Sequence, residues 1–338
     1  MSSDSKKKSP FIVKAIKYVA LLALAGVLLY FSFKEVKWND FLQSLKNCNW
    51  GWIIASMVVG VLGFLARALR WRLLMLPLNK DITNREAFDG VNIAYLTNFA
   101  LPRAGEVARC GVIAKTGKIT FEGALGTVVL ERVVDLLCLL VWVLVVLLIR
   151  WQEFGLFMQK NLLNPILGKF NSALVPVSIF AAVIILVSLA LWYFRKSILK
   201  NKFFEKIFNI VKGLKDGLLT AFRMEKKGLF FLYTFMLWGT YWLTSMCTIL
   251  AFPAVSDLNA VDALFLMVIG GLGWVVPVQG GLGAYHYIVS ITLAGVYSIP
   301  QTTGVIFATI SHEAQALTMI VCGVISLISI SFQGKKKN

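Results

Sequence analysis

Long apolar segments alternate with short polar loops along the whole chain. A helix needs about 20 mainly apolar residues to cross the hydrocarbon core of a bilayer. The segments that approach or exceed this length are residues 18–33, 50–66, 123–149, 173–194, 229–252 and 304–332. Three weaker apolar segments, which Gly or Pro residues interrupt, cover residues 87–101, 260–276 and 282–299. The pattern predicts an all-α fold, a polytopic transmembrane helical bundle of about 6–8 spans.

The longest polar stretch, residues 195–227, has a helical pattern of its own. Its apolar residues recur at i, i+4 and i+7, and its basic residues lie on the opposite side. This pattern predicts a basic amphipathic helix over about residues 200–224, lying in the cytoplasmic interface of the membrane. A soluble connector packed under the bundle is the alternative. No loop is long enough for a second domain, so residues 1–338 are predicted to form a single integral membrane domain.

Composition and charge support the membrane interpretation. Hydrophobic residues make up 58% of the chain and charged residues only 15%, whereas soluble domains are nearer half and a quarter. The net charge of +17 would suggest nucleic acid in a soluble protein, but 27 of the 34 Lys and Arg residues lie on alternate loops. That bias follows the positive-inside rule. It predicts a multi-pass protein of the cell inner membrane with both termini in the cytoplasm, and anionic lipid headgroups as partners in place of nucleic acid.

An internal repeat is visible around two broken segments. Residues 101–106 (LPRAGE) can be laid over residues 276–281 (VPVQGG), and each is flanked by short apolar runs and followed by a long apolar segment. Repeat 1 covers about residues 87–149 and repeat 2 about residues 260–332. The identity is thin, so a chance resemblance between the two segments is the alternative.

The charge pattern assigns opposite orientations to the two repeats. The basic loops all lie on the cytoplasmic side if residues 87–118 form a re-entrant hairpin that enters from the cytoplasm. Residues 260–299 then form a matching hairpin that enters from outside. Inverted repeats with broken helices at membrane depth are typical of transporters. Three full crossings in place of the second hairpin would also bring the basic C-terminus to the cytoplasm, so both topologies stay open.

Three charged residues interrupt the apolar segment 123–149. Glu131 and Asp135 share a helix face, and Arg132 can reach Asp135 at i, i+3. Each such charge costs about 2.5–3.5 kcal/mol at mid-membrane, so the three are expected to face inward and pair. They form either a structural ion pair that holds the bundle together or part of a polar pathway for a headgroup or proton.

The other candidate residues surround the broken segments. Arg67 and Arg70 are spaced to grip a phosphate, although positive-inside anchoring is the alternative. Broken helix ends expose N–H groups that favour anions. The candidate substrate-binding residues are Arg67, Arg70, Asn98, Arg103, Glu106, Arg109, Glu131, Arg132, Asp135, His286 and His312. The candidate gate-loop residues are Pro102, Gly105, Pro277, Gly280, Gly281 and Gly283.

Several classes of chemistry have no signal in the sequence. The hydrolase, metalloprotease, P-loop and dinucleotide-binding motifs are all missing. The five cysteines have no metal-binding spacing, and the two histidines have no clustered second or third ligand. The sequence therefore predicts no catalytic residues, no cofactor and no metal, in a protein that is not an enzyme.

Four motifs together resemble a known family. They are Arg67 and Arg70 before Trp71; Asn98, Pro102, Arg103, Gly105, Glu106 and Arg109; Glu131, Arg132 and Asp135; and Pro277, Gly280, Gly281 and Gly283. Nearly the whole chain is similar to the transmembrane region of lysylphosphatidylglycerol synthases, the flippase-like part of the multiple peptide resistance factor. The resemblance is to a stand-alone member without the aminoacyl-transfer domain, so it does not imply aminoacyl transfer. It implies re-entrant segments and the movement of lipids such as aminoacylated phosphatidylglycerol between leaflets.

The chain departs from the family pattern at three places. Gln279 stands where a second proline is expected, His286 where an acidic residue often follows the glycines, and His312 where arginine is usual. These departures bear on substrate identity more than on fold. The expected function is translocation of an anionic or aminoacylated phospholipid, or another lipid-linked substrate. The alternative is a non-transporting membrane scaffold subunit for a lipid- or glycan-modifying enzyme. A second copy of the chain or such an enzyme is a further candidate partner.

Overall fold

The computed structural model describes residues 38–101, 103–150, 224–276 and 278–335, together with residues 23, 26–27, 29–30, 32–34 and 36. From residue 38 onward the described ranges form nine α-helices. They are α1 (Trp38–Asn47), α2 (Trp50–Met75), α3 (Asn84–Ala100), α4 (Gly105–Ala114), α5 (Phe121–Ile149), α6 (Lys227–Ala251), α7 (Ala260–Val275), α8 (Ala284–Tyr297) and α9 (Gln301–Lys335). Two short 3₁₀ turns, Pro253–Val255 and Gln279–Gly281, connect some of them. The all-α prediction is confirmed for this part of the chain.

Polar residues fix the starts of the helices by accepting hydrogen bonds from N–H groups that have no partner inside the helix. The Thr83 side chain and Glu86 form a reciprocal capping box at the start of α3. Asn259 and Asp262 do the same for α7. Thr120 caps α5 by accepting from the Gly123 N–H.

Three helices are long and apolar enough to cross a membrane, namely Trp50–Met75, Phe121–Ile149 and Gln301–Phe332. They confirm the spans predicted at residues 50–66, 123–149 and 304–332. Helix α6, over the span predicted at 229–252, has 25 residues, and Tyr, Trp and Thr side chains interrupt its apolar sequence. The predicted span at 173–194 and the amphipathic helix at about 200–224 lie outside the described residues, as does most of the segment 18–33. The total of about 6–8 spans stays a prediction.

The second span is longer than its apolar pattern indicates. The apolar run ends at Ala66, but α2 continues to Met75 through three arginines. The helix continues because Arg67 and Arg70 turn inward to ion partners on α5 rather than outward to water.

The helices pack into one bundle with an apolar outer surface. Helix α2 packs along α6, and α9 packs against both α3 and α8. One core cluster includes Ile249, Phe265 and Phe307, and a second is built around Trp71 and Met75. Leucines at positions 136, 140, 144 and 148 of α5 are exposed. A soluble protein rarely exposes such a continuous apolar stripe, whereas a membrane protein presents it to lipid.

Two broken segments meet inside this bundle. The first is the turn between α3 and α4, and the second contains the 3₁₀ turn between α7 and α8. The Arg103 guanidinium donates a hydrogen bond to the Val275 carbonyl at the end of α7. A Cβ atom added at Gly280 would lie 2.7 Å from the Phe99 ring. The two segments that the sequence aligned with each other are therefore in direct contact.

Candidate functional site

A cluster of ionised side chains lies between α2, α4 and α5. We call it the charge cluster. Its members are Arg67, Arg70, Glu106, Arg109, Glu131, Arg132 and Asp135. All seven were candidate residues in the sequence, so the structure brings together most of the predicted substrate-binding set.

Glu131 lies at the centre of the charge cluster and is fully buried. Four guanidinium groups contact its carboxylate, from Arg67 at 3.0 Å, Arg70 at 3.2 Å, Arg109 at 2.8 Å and Arg132 at 2.6 Å. A buried carboxylate is tolerated only when charged hydrogen-bond donors replace the water that it has lost. Glu131 therefore ties α2 and α4 to α5.

Two further carboxylates flank this centre. Glu106 forms an ion pair with Arg109 at 2.5 Å. Asp135 pairs with Arg70 at 2.7 Å and with Arg132 at 2.6 Å. The second of these contacts confirms the i, i+3 pair expected from the sequence. The Arg132 side chain is 39% exposed, whereas Arg70 and Arg109 are buried. The cluster therefore opens to its surroundings on the side of Arg132, Glu106 and Asp135.

The charge cluster has more positive charge and more donors than its own carboxylates use. Four arginines face three carboxylates, which leaves a formal net charge of +1 for the set. Five buried guanidinium nitrogens, two each of Arg70 and Arg109 and one of Arg132, have no hydrogen-bond partner in the described residues, against two buried carboxylate oxygens, Glu106 Oε2 and Asp135 Oδ1. Buried donors without partners are rare and call for an explanation. An anion with several acceptor oxygens fits such a site.

Aromatic side chains hold the arginines in place. The Arg109 guanidinium lies 4.6 Å from the centre of the Trp71 ring, which favours a cation–π contact. The Trp71 indole N–H donates to the Thr127 hydroxyl at 3.0 Å. Arg67 donates to the Tyr95 hydroxyl at 2.9 Å. Tyr95 was not among the predicted site residues, because nothing in its local sequence distinguishes it from a core aromatic residue.

The first broken segment is shaped by close backbone contacts. The Gly105 N–H donates to the Asn98 side-chain oxygen at 2.8 Å. A Cβ at Gly105 would lie 2.2 Å from the Ala94 carbonyl oxygen, so only glycine fits there. Arg103 has a φ of 64°, in the left-handed region that non-glycine residues rarely adopt. Strain of this kind is concentrated at functional sites.

Asn98 and Arg103 belong to the contact between the two turns rather than to the charge cluster. Asn98 bonds to the backbone of its own turn, and Arg103 reaches across to α7. Among the described residues, Arg103 forms no ion pair with the cluster carboxylates. The gate-loop residues Pro102 and Pro277 lie outside the described residues.

Both histidines lie close together beside the second broken segment. Gly280, Gly281 and Gly283 all have positive φ, so the backbone can turn sharply before α8. His312 of α9 contacts the Gly280 carbonyl through Nε2 at 2.8 Å. His286 of α8 lies beside it, with the two ring centres 4.9 Å apart. These two predicted site residues form a group of their own, and in the described part of the chain neither forms an ion pair with the seven side chains of the charge cluster.

Glu313 completes the histidine group, and the sequence prediction did not single it out as a site residue. Its carboxylate lies 2.9 Å from His312 Nδ1 and 3.9 Å from His286 Nε2. The expectation that the two histidines have no clustered second or third ligand is therefore wrong, because Glu313 lies beside both. The signal was weak because 26 residues separate the two histidines, and a carboxylate next to one histidine is a common pattern.

Comparison with known proteins identifies one family. Residues 18–323 match the family model described as the lysylphosphatidylglycerol synthase TM region. No curated protein and no solved structure matches the chain.

Proposed function

The chain belongs to the lysylphosphatidylglycerol synthase transmembrane-region family, and we propose that it translocates an anionic or aminoacylated phospholipid, or another lipid-linked substrate, between leaflets. The observation that carries this proposal is the charge cluster, with its formal excess of one positive charge and its buried donors that have no partner among the residues described. Ionisable groups within membrane helices are costly, and they mark functional sites such as substrate or ion pathways and proton relays.

The chemistry of the cluster suits a lipid headgroup. A phosphate would neutralise the excess positive charge and accept from the free guanidinium N–H groups, for which arginine has the appropriate fork geometry. Glu106 and Asp135, on the open side, are placed to accept from the ammonium groups of an aminoacylated headgroup. Arg132 lies at the opening and would contact the headgroup first.

The proposed gates are the two turns in contact with each other. Each turn lies between two short helices, of 17 and 10 residues in the first segment and 16 and 14 in the second, and a long span follows in both. All four are shorter than the roughly 20 residues needed to cross the hydrocarbon core. This shared order supports inverted repeats with re-entrant hairpins, repeat 1 over about residues 87–149 and repeat 2 over about residues 260–332.

The remaining parts of the proposal concern orientation and partners. The alternation of basic loops supports cytoplasmic N- and C-termini in the cell inner membrane. We propose that the chain moves lipid without catalysing a covalent reaction. Anionic membrane lipids are its proposed partners, with a second copy of the chain or a lipid-modifying enzyme as further partners.

The test is lipid exchange in reconstituted liposomes. Purified protein is incorporated with fluorescent phosphatidylglycerol or lysylphosphatidylglycerol, and a membrane-impermeant quencher reports leaflet exchange. Wild type should exceed the protein-free rate. Arg132→Gln should slow exchange by roughly 10- to 100-fold, because a hydrogen bond to a charged group contributes about 1.5–3 kcal/mol. Arg103→Ala should also slow exchange by loosening the contact between the turns.

A matched control separates the site from general charge effects. Arg85→Gln removes an exposed arginine whose polar partners in the described part of the chain are Asp89 and Ser329. Its exchange rate should equal that of wild type. Exchange by wild type at the protein-free rate with every lipid would contradict the proposal.

One observation favours the scaffold alternative. Glu131 is enclosed by four arginines, and such a network can serve stability alone. Under this alternative, Asp135→Asn lowers the melting temperature and function together. Loss of exchange by Asp135→Asn with unchanged melting supports the pathway.

A further inference from the structure

The histidine group has the geometry of a metal site. The ligand atoms of His286, His312 and Glu313 all lie within 4.8 Å of one another. We propose that these three side chains bind a first-row divalent transition metal ion, with Zn²⁺ as the best match. The proposal concerns a different set of residues from the charge cluster and does not depend on lipid transport.

The distances are close to those that a bound ion requires. Zn²⁺ binds imidazole nitrogen and carboxylate oxygen at about 2.0–2.2 Å in tetrahedral geometry, which separates neighbouring ligand atoms by roughly 3.4 Å. The Glu313 oxygen lies 2.9 Å from His312 Nδ1 and 3.9 Å from His286 Nε2. These two distances lie on either side of the tetrahedral value, and all three ligand atoms lie within 4.8 Å of one another. Side-chain shifts of roughly 1 Å would therefore admit the ion.

The hydrogen bond of His312 selects the nitrogen that faces the ion. The Gly280 carbonyl can only accept, so His312 Nε2 carries the hydrogen and donates at 2.8 Å. Nδ1 is then the nitrogen directed at Glu313. Metal-binding histidines usually donate their other ring N–H to a carbonyl or a carboxylate, which fixes the ring and its tautomer. His312 already makes this outer contact.

His286 supplies the second nitrogen ligand of the proposed site. Its side chain is buried, and its Nδ1 has no hydrogen-bond partner in the described residues. A buried polar atom without a partner is costly unless the group has another role. Nε2 is the nitrogen that faces Glu313, so binding of the ion there would give the buried ring a role, while Nδ1 would carry the hydrogen and stay without an acceptor among the described residues.

The surroundings hold the rings and leave one approach open. Trp274 stacks on His312 with ring centres 5.2 Å apart, and Tyr285 packs against both histidines. The Glu313 side chain is 52% exposed, so the ion can enter along it. Two nitrogens and one carboxylate oxygen leave a fourth position for water. This donor set favours Zn²⁺ over Mg²⁺ or Ca²⁺, which prefer oxygen ligands.

A bound ion would join three parts of the second repeat. It would connect α8 to α9 directly, and α9 is connected in turn to the turn at Gly280 through the His312 hydrogen bond. The ion would therefore hold this turn in the position where it contacts Phe99.

The experiment measures metal content directly. Untagged, detergent-purified protein is stripped with a chelator, dialysed against Zn²⁺ and examined by elemental analysis, and its melting temperature is measured with and without the ion. Wild type should hold about one Zn²⁺ per chain and melt at a higher temperature when loaded. His286→Gln, His312→Gln and Glu313→Gln should each weaken binding by at least the roughly 10- to 100-fold that loss of an outer contact alone costs.

Two controls decide between the site and other sources of binding. Glu225→Gln removes an exposed carboxylate elsewhere and should leave Zn²⁺ affinity unchanged. Co²⁺ substitution should give the absorption of nitrogen and oxygen ligands. The helix content of each variant without metal verifies that it is folded. Glu313→Gln should have the helix content of wild type, because the Glu313 side chain is half-exposed. Absence of Zn²⁺ from wild type, wild-type affinity in the three variants, or cobalt–thiolate bands from the cysteines would overturn the proposal.

Discussion

The Arg109 guanidinium donates to the Glu131 carboxylate at 2.8 Å, and both side chains are buried. This contact joins the helix that follows the first turn to the second half of the same repeat. Any movement of α4 relative to α5 must either break this ion pair or move the Arg109 and Glu131 side chains together. The rigidity of the charge cluster and the position of the turn are therefore coupled.

Glu131→Gln should destabilise the protein strongly. The substitution leaves four arginines around a neutral amide, and breaking a buried ion pair typically costs about 3–5 kcal/mol. Thermal melting in detergent measures the effect. Glu122→Gln, in the first turn of the same helix, is the matched control and should cost less than about 1 kcal/mol. Equal melting temperatures for the two variants would show that the cluster contributes nothing to stability.

Gly105→Ala should disrupt the first turn. Its Cβ would lie 2.2 Å from the Ala94 carbonyl oxygen, and backbone cannot yield as a flexible side chain does. The expected cost is about 1–3 kcal/mol, as for overpacking. Gly111→Ala lies on the same helix, and no atom of the described ranges lies within 4 Å of the new methyl group. It should be neutral or stabilising by up to about 1 kcal/mol. A similar loss from both would contradict the close contact.

Gly280→Ala should slow lipid exchange by disturbing the second turn where it contacts the first. The residue combines a positive φ with the Phe99 ring 2.7 Å from the new Cβ. Phe99→Leu should partly restore lipid exchange in the double variant, because the ring is replaced by a side chain that can move away. Liposome exchange assays of the two single variants and the double variant measure this rescue. Independent, additive losses would show that the two turns do not act on each other.

Stability should depend on Glu86 at acid pH. Burial alone would raise the pKa of Glu86, but hydrogen bonds from the Thr83 backbone and from Lys118 outweigh it and lower the pKa below its usual value of 4.5. A lowered pKa means that the stabilisation is present above pH 4.5 and is lost as pH falls through the folded-state pKa.

The measurement for Glu86 is the free energy of unfolding of wild type and Glu86→Gln across this pH range. The difference should be constant above pH 4.5 and shrink below it. Asp257→Asn, at an exposed position outside the helices, controls for general charge effects. A difference that grows on acidification would have the wrong sign for a carboxylate with a lowered pKa.

The sequence was most informative where lipid imposes the pattern. Apolar runs predicted α2, α5 and α9, because a helix that faces lipid must present apolar side chains along its length. The Arg132–Asp135 pair was also predictable, since both residues are on one helix turn. The four arginines around Glu131 were not, because their convergence depends on how α2 and α4 pack against α5. The grouping of His286, His312 and Glu313 depends on tertiary packing in the same way.

The most direct test of the account asks whether the charge cluster holds an anionic lipid. Native mass spectrometry of protein extracted in mild detergent measures the lipids that remain bound. Wild type and Arg85→Gln should retain an anionic or aminoacylated phospholipid, and Arg132→Gln should lose it while retaining its helix content. Equal retention by Arg132→Gln and wild type, or retention of neutral lipids alone, would contradict the account.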